Sequence, residues 1–323
     1  MADPTRPLKT LTGIDPRSWE HPADRAALHT LRTIPGFDEV LRKLFGIFGE
    51  KPIRLAFQAN AVRSSPTQFP RVHRLYLRAA EVLDTPPEYA VLVSQNPTVN
   101  AGAYGMDRPF IIVNSELVKL MDDEELQFVL GHELAHIMSG HVLYTTMMVL
   151  LFRLAETGFP IVGLAARAVL IGLMEWYRKA ELSCDRAGTL SVQDPEIGMR
   201  AMLKFAGGGE AADTNLAEFI QQAEEYRQGG DLADQIFKVL NLLGADHPFP
   251  VLRVGALRDW VETGAYDRIL RGEYTHRAEE SQPLSDDLAE AGRAYRESAR
   301  QTLGSAADAA RKVMDSFRSG FNR

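Results

Sequence analysis

Asp122-Asp-Glu-Glu-Leu-Gln-Phe-Val-Leu-Gly-His-Glu-Leu-Ala-His-Ile-Met-Ser-Gly-His141 decides how this chain is read. Four acids precede an apolar-periodic run, and carboxylates are favoured at the positive end of a helix macrodipole, so a helix is expected to begin near Asp122. Within it, His132 and His136 are four residues apart. At about 100° per residue they lie roughly 40° apart on the helix surface, so both imidazoles face the same space and can share one cation. Glu133 stands off the line joining them, where it reaches a water beside the metal rather than the metal itself. That is the placement of a general base.

A catalytic zinc site uses three protein ligands and keeps a fourth position for water, so a third ligand has to be found. A histidine six residues past His136 would serve, but position 142 is Val and His141 falls one short. His141 follows Gly140 and sits about 140° round the helix from His136. It is the lesser ligand candidate, and its expected task is to bond the last carbonyls of the helix. The leading candidate is Glu181 in Glu181-Leu-Ser-Cys-Asp185, on a second helix. Glu181 and Asp185 share a helical face, so the first can bind zinc while the second accepts the outer N–H of a ligand histidine. With Cys184 the sole cysteine, disulfides within the chain and Cys-based zinc clusters are excluded, and any metal is expected on His and carboxylate.

Outward from these motifs, Tyr89–Ser94 and Phe110–Val113 read as strands of a small sheet, with Thr98–Tyr104 a possible third. Helical spacing runs from about Ala23 to Phe48 and from Arg71 to Leu83, after prolines at 4, 7 and 16. Further helices are expected over Pro195–Ala206, Leu216–Tyr226, Ile236–Leu243 and from the Asp246-His-Pro-Phe-Pro250 turn through Trp260. Residues 142–176 are apolar but interrupted by Arg153, Glu156, Pro160 and Arg167, short of the roughly 20 apolar residues a spanning helix needs. Two buried or amphipathic helices are expected there, with peripheral membrane contact the lesser option. The domain reading is a helical N-terminal extension over 1–50, a domain carrying both metal-binding motifs over 51–275 and a polar helical or partly mobile tail over 276–323. The fold class is α+β, predominantly helical, with a small mixed sheet.

A net charge of −7 argues against a phosphate-backbone partner, since affinity for nucleic acid rests largely on clustered Lys and Arg. The polar start lacks the apolar core of a secretory signal, so the default location is cytoplasmic.

Taken together, Asn100-Ala101, the acids before His132-Glu-Leu-Ala-His136, Gly140-His141, Glu181 with Asp185, and His247-Pro248 with Arg253 resemble the HtpX-like and CAAX prenyl protease (Ste24-type) family of gluzincin zinc metallopeptidases. The similarity covers roughly Pro87 to Leu257. It implies a zincin, thermolysin-like core holding one zinc on His132, His136 and Glu181, with Glu133 as base and Asp185 orienting His132. It also implies that a polypeptide substrate lies along Asn100, Ala101, Gly102, Ala103 and Tyr104. His247 or Arg253 would approach the site to stabilise an oxyanion, with Tyr177 a further donor. Unlike family members with clear transmembrane helices, residues 142–176 are broken by charge and proline. The expected activity is peptide-bond hydrolysis of protein substrates, suited to protein quality control. The alternative is a latent zinc-binding, chaperone-like or membrane-surface protein.

Overall fold

The computed structural model describes residues 6–33, 36–48, 50–156, 164–209, 213–228 and 249–278. In chain order the elements are α1 (Pro22–Arg32), α2 (Phe37–Phe48), α3 (Glu50–Ala59), β1 (Ala61–Arg63), α4 (Pro70–Val82), β2 (Ala90–Ser94), β3 (Ala101–Tyr104), β4 (Phe110–Asn114), α5 (Ser115–Leu120), α6 (Asp123–Met138), α7 (Val142–Glu156), α8 (Leu164–Val192), α9 (Pro195–Gly207), α10 (Leu216–Gln228), α11 (Pro250–Glu262) and α12 (Ala265–Arg271). The protein is therefore predominantly helical around one small mixed sheet. The helix expected over Ile236–Leu243, His247 and residues 279–323 of the tail lie outside the described residues.

The sheet order is β1-β2-β4-β3. β2 and β4 run parallel, with Val91 opposite Ile111, and β3 pairs antiparallel to β4, with Gly102 opposite Ile112. The two parallel strands are apolar runs buried in their middles, as strands covered on both faces should be. β3 is left as an edge.

α6 starts where the acids predicted it. Asp122 Oδ1 accepts from the Glu125 backbone N–H at 2.9 Å, and Glu125 Oε2 accepts from Asp122 N–H at 2.9 Å, a reciprocal capping box. From Glu125 to Ile137 every residue of α6 is buried, so it is the central helix of the core. α8 spans 29 residues, about 43 Å, and packs closely against it. Two glycines permit that approach: a Cβ on Gly131 would collide with Ser191, and one on Gly188 would stand 2.8 Å from the Phe128 carbonyl oxygen. Gln127 Nε2 donates to the Ser191 carbonyl at 2.6 Å, locking the register. The two helices thus run antiparallel, so residues after Gly131 meet residues before Gly188. His132 and His136 are brought opposite Asp185 and Glu181 in this way.

The N-terminal residues join the same body. Leu11, Ile14 and Trp19 are fully buried in the main core, alongside residues of α4, α6, α8 and α9. α1 and α2 contribute Ala27, Leu31, Phe37 and Leu44 to a second cluster with α7 and α8. No single helix among the described residues is long and apolar enough to cross a membrane; α6 and α7 would do so together only as a pair bent by 96°.

Candidate metal centre

The His132 and His136 Nε2 atoms face each other at 3.2 Å. Glu181, from α8, places Oε1 3.1 Å from His136 Nε2 and Oε2 3.5 Å from His132 Nε2. A tetrahedral ion bound at roughly 2.0–2.1 Å by each donor separates the donors by about 3.3 Å, so this triangle fits a zinc-sized cation. All three side chains are buried, and such polar groups need a compensating partner.

Cys184 belongs to the same neighbourhood. One donor atom from each of His132, His136 and Cys184 falls within 4.8 Å of the others, so the expectation that only His and carboxylate surround a metal has to be amended. The Cys184 Sγ lies 3.6 Å from His141 Nδ1, which itself lies 3.3 Å from His136 Nδ1. The sulfur therefore borders the outer nitrogen of His136, away from the Nε2 pair. Burial, reinforced by Glu181 and Asp24, raises the thiol well above its usual range. Glu181 stands within 3.5 Å of both imidazole Nε2 atoms.

Around the donors lies a buried charge network. His132 Nδ1 stands 3.0 Å from Asp185 Oδ1. Arg253, from α11, donates Nε to Asp185 Oδ2 at 2.8 Å and Nη2 to Oδ1 at 2.5 Å, and its Nη1 lies 3.1 Å from Glu181 Oε2. Burial pushes the Glu181 carboxyl up, but Arg253 and His132 outweigh it and hold the group well below the usual range. Asp185 is lowered in the same way, burial being overcome by Arg253 and then His132. His132 is raised to about 10, since Glu181 and Asp185 more than offset its desolvation. His136 goes to about 4, chiefly by burial, so it is the more readily neutral imidazole. Burial lifts Glu133 to about 7, with Glu181 adding to the rise and His132, Arg253 and the Ala103 backbone opposing it. Its Oε2 has no hydrogen-bond partner among the described residues.

A cleft of about 330 Å³ opens onto His132, Glu133, Glu181, Tyr177 and Arg253, with Phe128, Phe205 and Phe249 in its apolar wall. From the sheet side it is lined by Thr98, Val99, Asn100 and Ala101. Of the stretch expected to carry substrate, Asn100 and Ala101 border the cleft. Ala103 is buried, Tyr104 stacks on Phe57 at 4.9 Å, and Thr146 of α7 bonds both the N–H and the carbonyl of Gly105. The residues just past β3 are thus tied to α7, and the cleft is bordered at the strand's beginning by Asn100 and Ala101. Asn100 spends its side chain on its own turn, accepting from Ala101 N–H at 2.9 Å.

Three further expectations find different outcomes. His141 does not cap carbonyls with its ring: α6 ends at Met138, the chain reverses through Gly140 at φ +69°, and the imidazole turns inward to Asp24, 3.2 Å away. Arg253 reaches the site and lines the cleft, and each of its guanidinium nitrogens contacts Asp185 or Glu181. Tyr177 stacks on His136 with ring centroids 5.8 Å apart, and its hydroxyl bonds Glu181, which with burial raises its pKa well above 10. The sequence reading missed Asp24, Trp176 and Ser183 behind His136. Asp24 lies more than 100 residues from the motif, and nothing in its spacing marks it.

Residues 66–261 match the model of peptidase family M48. Over 265 residues, 80% of this chain and 76% of the relative, the sequence is 32% identical to a plastoglobule-localized metallopeptidase 48 of Arabidopsis thaliana chloroplasts. A protease HtpX homolog of Ralstonia nicotianae is 24% identical over 68% of this chain and 83% of its own length. Another, from Bacillus velezensis, is 40% identical over 80 residues, 24% of this chain and 26% of its own. No solved structure matches the chain significantly. A buried His-Glu-x-x-His helix facing a carboxylate, inside a segment matched by that family model, leads to one conclusion: the chain belongs to peptidase family M48 and is an HtpX-like metallopeptidase.

Proposed function

We propose that this metallopeptidase is a zinc-dependent endopeptidase with a zincin-type core, in which His132, His136 and Glu181 hold the metal and Glu133 is the general base. The observation that carries the reading is the donor triangle of 3.1, 3.2 and 3.5 Å, with the unpartnered Glu133 oxygen beside it. When bound, zinc would supply Lewis-acid polarisation of a carbonyl and acidification of water. Glu133, its second oxygen unpartnered, takes a proton and returns it to the leaving amine. Asp185 fixes His132 with Nε2 toward the metal by accepting from Nδ1. Arg253 keeps Asp185 and Glu181 ionised and in place.

Substrates would be extended polypeptides laid along Thr98–Ala101, where the chain enters β3, and paired through the main chain. Main-chain pairing makes side-chain selection loose, which suits removal of unfolded protein and accords with relatives described as HtpX-type proteases. The test is casein cleavage by wild type and by Glu133→Gln, each assayed for zinc. The reading expects the variant to keep zinc and lose at least 100-fold in rate, on the order expected for a missing general base. A variant that cleaves as well as wild type sinks the assignment of Glu133, while a wild type that holds zinc and cleaves nothing turns the account toward a latent binding protein.

A further inference from the structure

His136 points Nε2 at His132 and Glu181, which leaves Nδ1 on its outer side. That nitrogen lies 3.3 Å from His141 Nδ1. His141 in turn places Nε2 3.2 Å from Asp24 Oδ2. Asp24 comes from α1 and is 1% exposed. It also accepts from Trp176 Nε1 at 2.9 Å and from Ser183 Oγ at 2.6 Å. A buried carboxylate with three side-chain donors is rigidly held, and all three donors come from the region of the metal-bearing helices α6 and α8.

The proton positions follow from the contacts. An imidazole that binds a cation through Nε2 is neutral and carries its proton on Nδ1. For His136 that N–H has His141 Nδ1 as its acceptor, so His141 must keep a lone pair there and carry its own proton on Nε2. The Nε2–H then meets Asp24. Cys184 Sγ, 3.6 Å from the same His141 Nδ1, is only a weak donor and competes poorly for that lone pair. A carboxylate at position 24 selects the one His141 tautomer that lets His136 donate outward. An amide there can present its NH₂ group to Nε2 and favour the opposite tautomer, which sets two N–H groups against each other.

We propose that Asp24 is a positioning residue of the metal centre, acting through His141 to orient His136 and set its tautomer, so that the N-terminal helix completes the site. The two ligand histidines are served differently. Asp185 reaches His132 directly from α8 at 3.0 Å, whereas His136 is reached through an interposed imidazole by a residue outside the 66–261 segment matched by the family model. The inference rests on the reading of His136 as a zinc ligand.

The experiment is a double-mutant cycle on the full chain: wild type, Asp24→Asn, His141→Ala and the double variant. For each, zinc affinity is measured by chelator competition, the visible spectrum is recorded with cobalt in place of zinc, and melting is followed without metal. Loss of such an outer partner typically weakens metal binding roughly 10–100-fold. Asp24→Asn and His141→Ala are each expected to show that loss and altered cobalt bands, and the double variant is expected to bind no more weakly than His141→Ala alone. Leu31→Ala truncates a buried core side chain elsewhere on α1 and serves as the structural control, melting earlier without metal yet binding zinc as wild type does. An Asp24→Asn protein that melts early but keeps wild-type zinc affinity and cobalt bands overturns the proposal, as do losses that add fully in the double variant. A measurement on the unaltered zinc protein covers the case of a variant that does not fold: nitrogen-15 spectra should show His141 protonated at Nε2 alone, and protonation at Nδ1 overturns the proposal. A wild type that binds no zinc overturns the ligand reading itself, and this inference with it.

Discussion

Replacing Arg253 by Leu tests the charge network behind the site. The guanidinium makes contacts of 2.8 and 2.5 Å to Asp185 and 3.1 Å to Glu181, and all three groups are buried. Burial by itself raises both carboxyls, and Arg253 is the largest influence holding them down. Without it two carboxylates share a buried space with His132, His136 and the Tyr177 hydroxyl as their remaining partners near the site. Removing one member of a buried ion pair costs about 3–5 kcal/mol, because the partner remains uncompensated. At roughly 2–4 °C per kcal/mol for a domain of 150–250 residues, the metal-free variant should melt about 10 °C below wild type. Arg253→Lys, which keeps the charge but not the planar fork, should fall between. Calorimetry of the chelated proteins is the assay. A metal-free Arg253→Leu protein melting within about 2 °C of wild type would refute the reasoning, since it would mean that the carboxylates do not depend on this cation.

Gly188→Val places branched carbons where a single Cβ already stands 2.8 Å from the Phe128 carbonyl oxygen. Separating α6 from α8 should cost about 1–3 kcal/mol or more, measured by urea denaturation, and should weaken metal binding with it. Stability should also depend on His21, whose Nδ1 accepts from Ala23 N–H at the start of α1. Burial, with Arg186 and Lys179, lowers its pKa from 6.5 to about 4 in the folded protein. The folded value lies below the unfolded one, so this contribution is fully present above pH 6.5 and is lost progressively as pH falls toward 4. The loss would reach about 2–3 kcal/mol over that window, and the difference in melting between wild type and His21→Asn, titrated from pH 7 to 5, should shrink accordingly. An unchanging difference would contradict it.

The motif helix was legible because its signals are local: acids at the first turn, an apolar run, and two histidines four apart. α6 starts one residue past the anticipated Asp122, which caps it. The strands at 90–94 and 110–114 were legible for the same reason, as buried β-branched runs between breakers. β1 was not, since three residues carry no period, and α3 lay in a stretch with no clear signal. The helix of residues 164–192 was read in pieces, an apolar segment and a separate Glu181–Asp185 motif, because its sequence passes from an apolar first half to one bearing Arg178, Lys179, Glu181 and Asp185. Least legible were the contacts distant in sequence. Trp19 and Ile14 in the main core, and Asp24 against His141, are pairings of the folded chain that no local pattern of residues 1–50 announces. His141 shows the converse: a helix-end role follows from spacing alone, but the turn at Gly140 takes the ring inward.

The central claim is that His132, His136 and Glu181 together hold one zinc. Elemental analysis of wild type, Glu181→Ala and Cys184→Ser, purified in parallel, tests it most directly. The account predicts about one zinc per chain in wild type and in Cys184→Ser, and little or none in Glu181→Ala, since a catalytic site needs three protein ligands. Full zinc in Glu181→Ala with loss in Cys184→Ser would contradict it and make the thiol the third ligand.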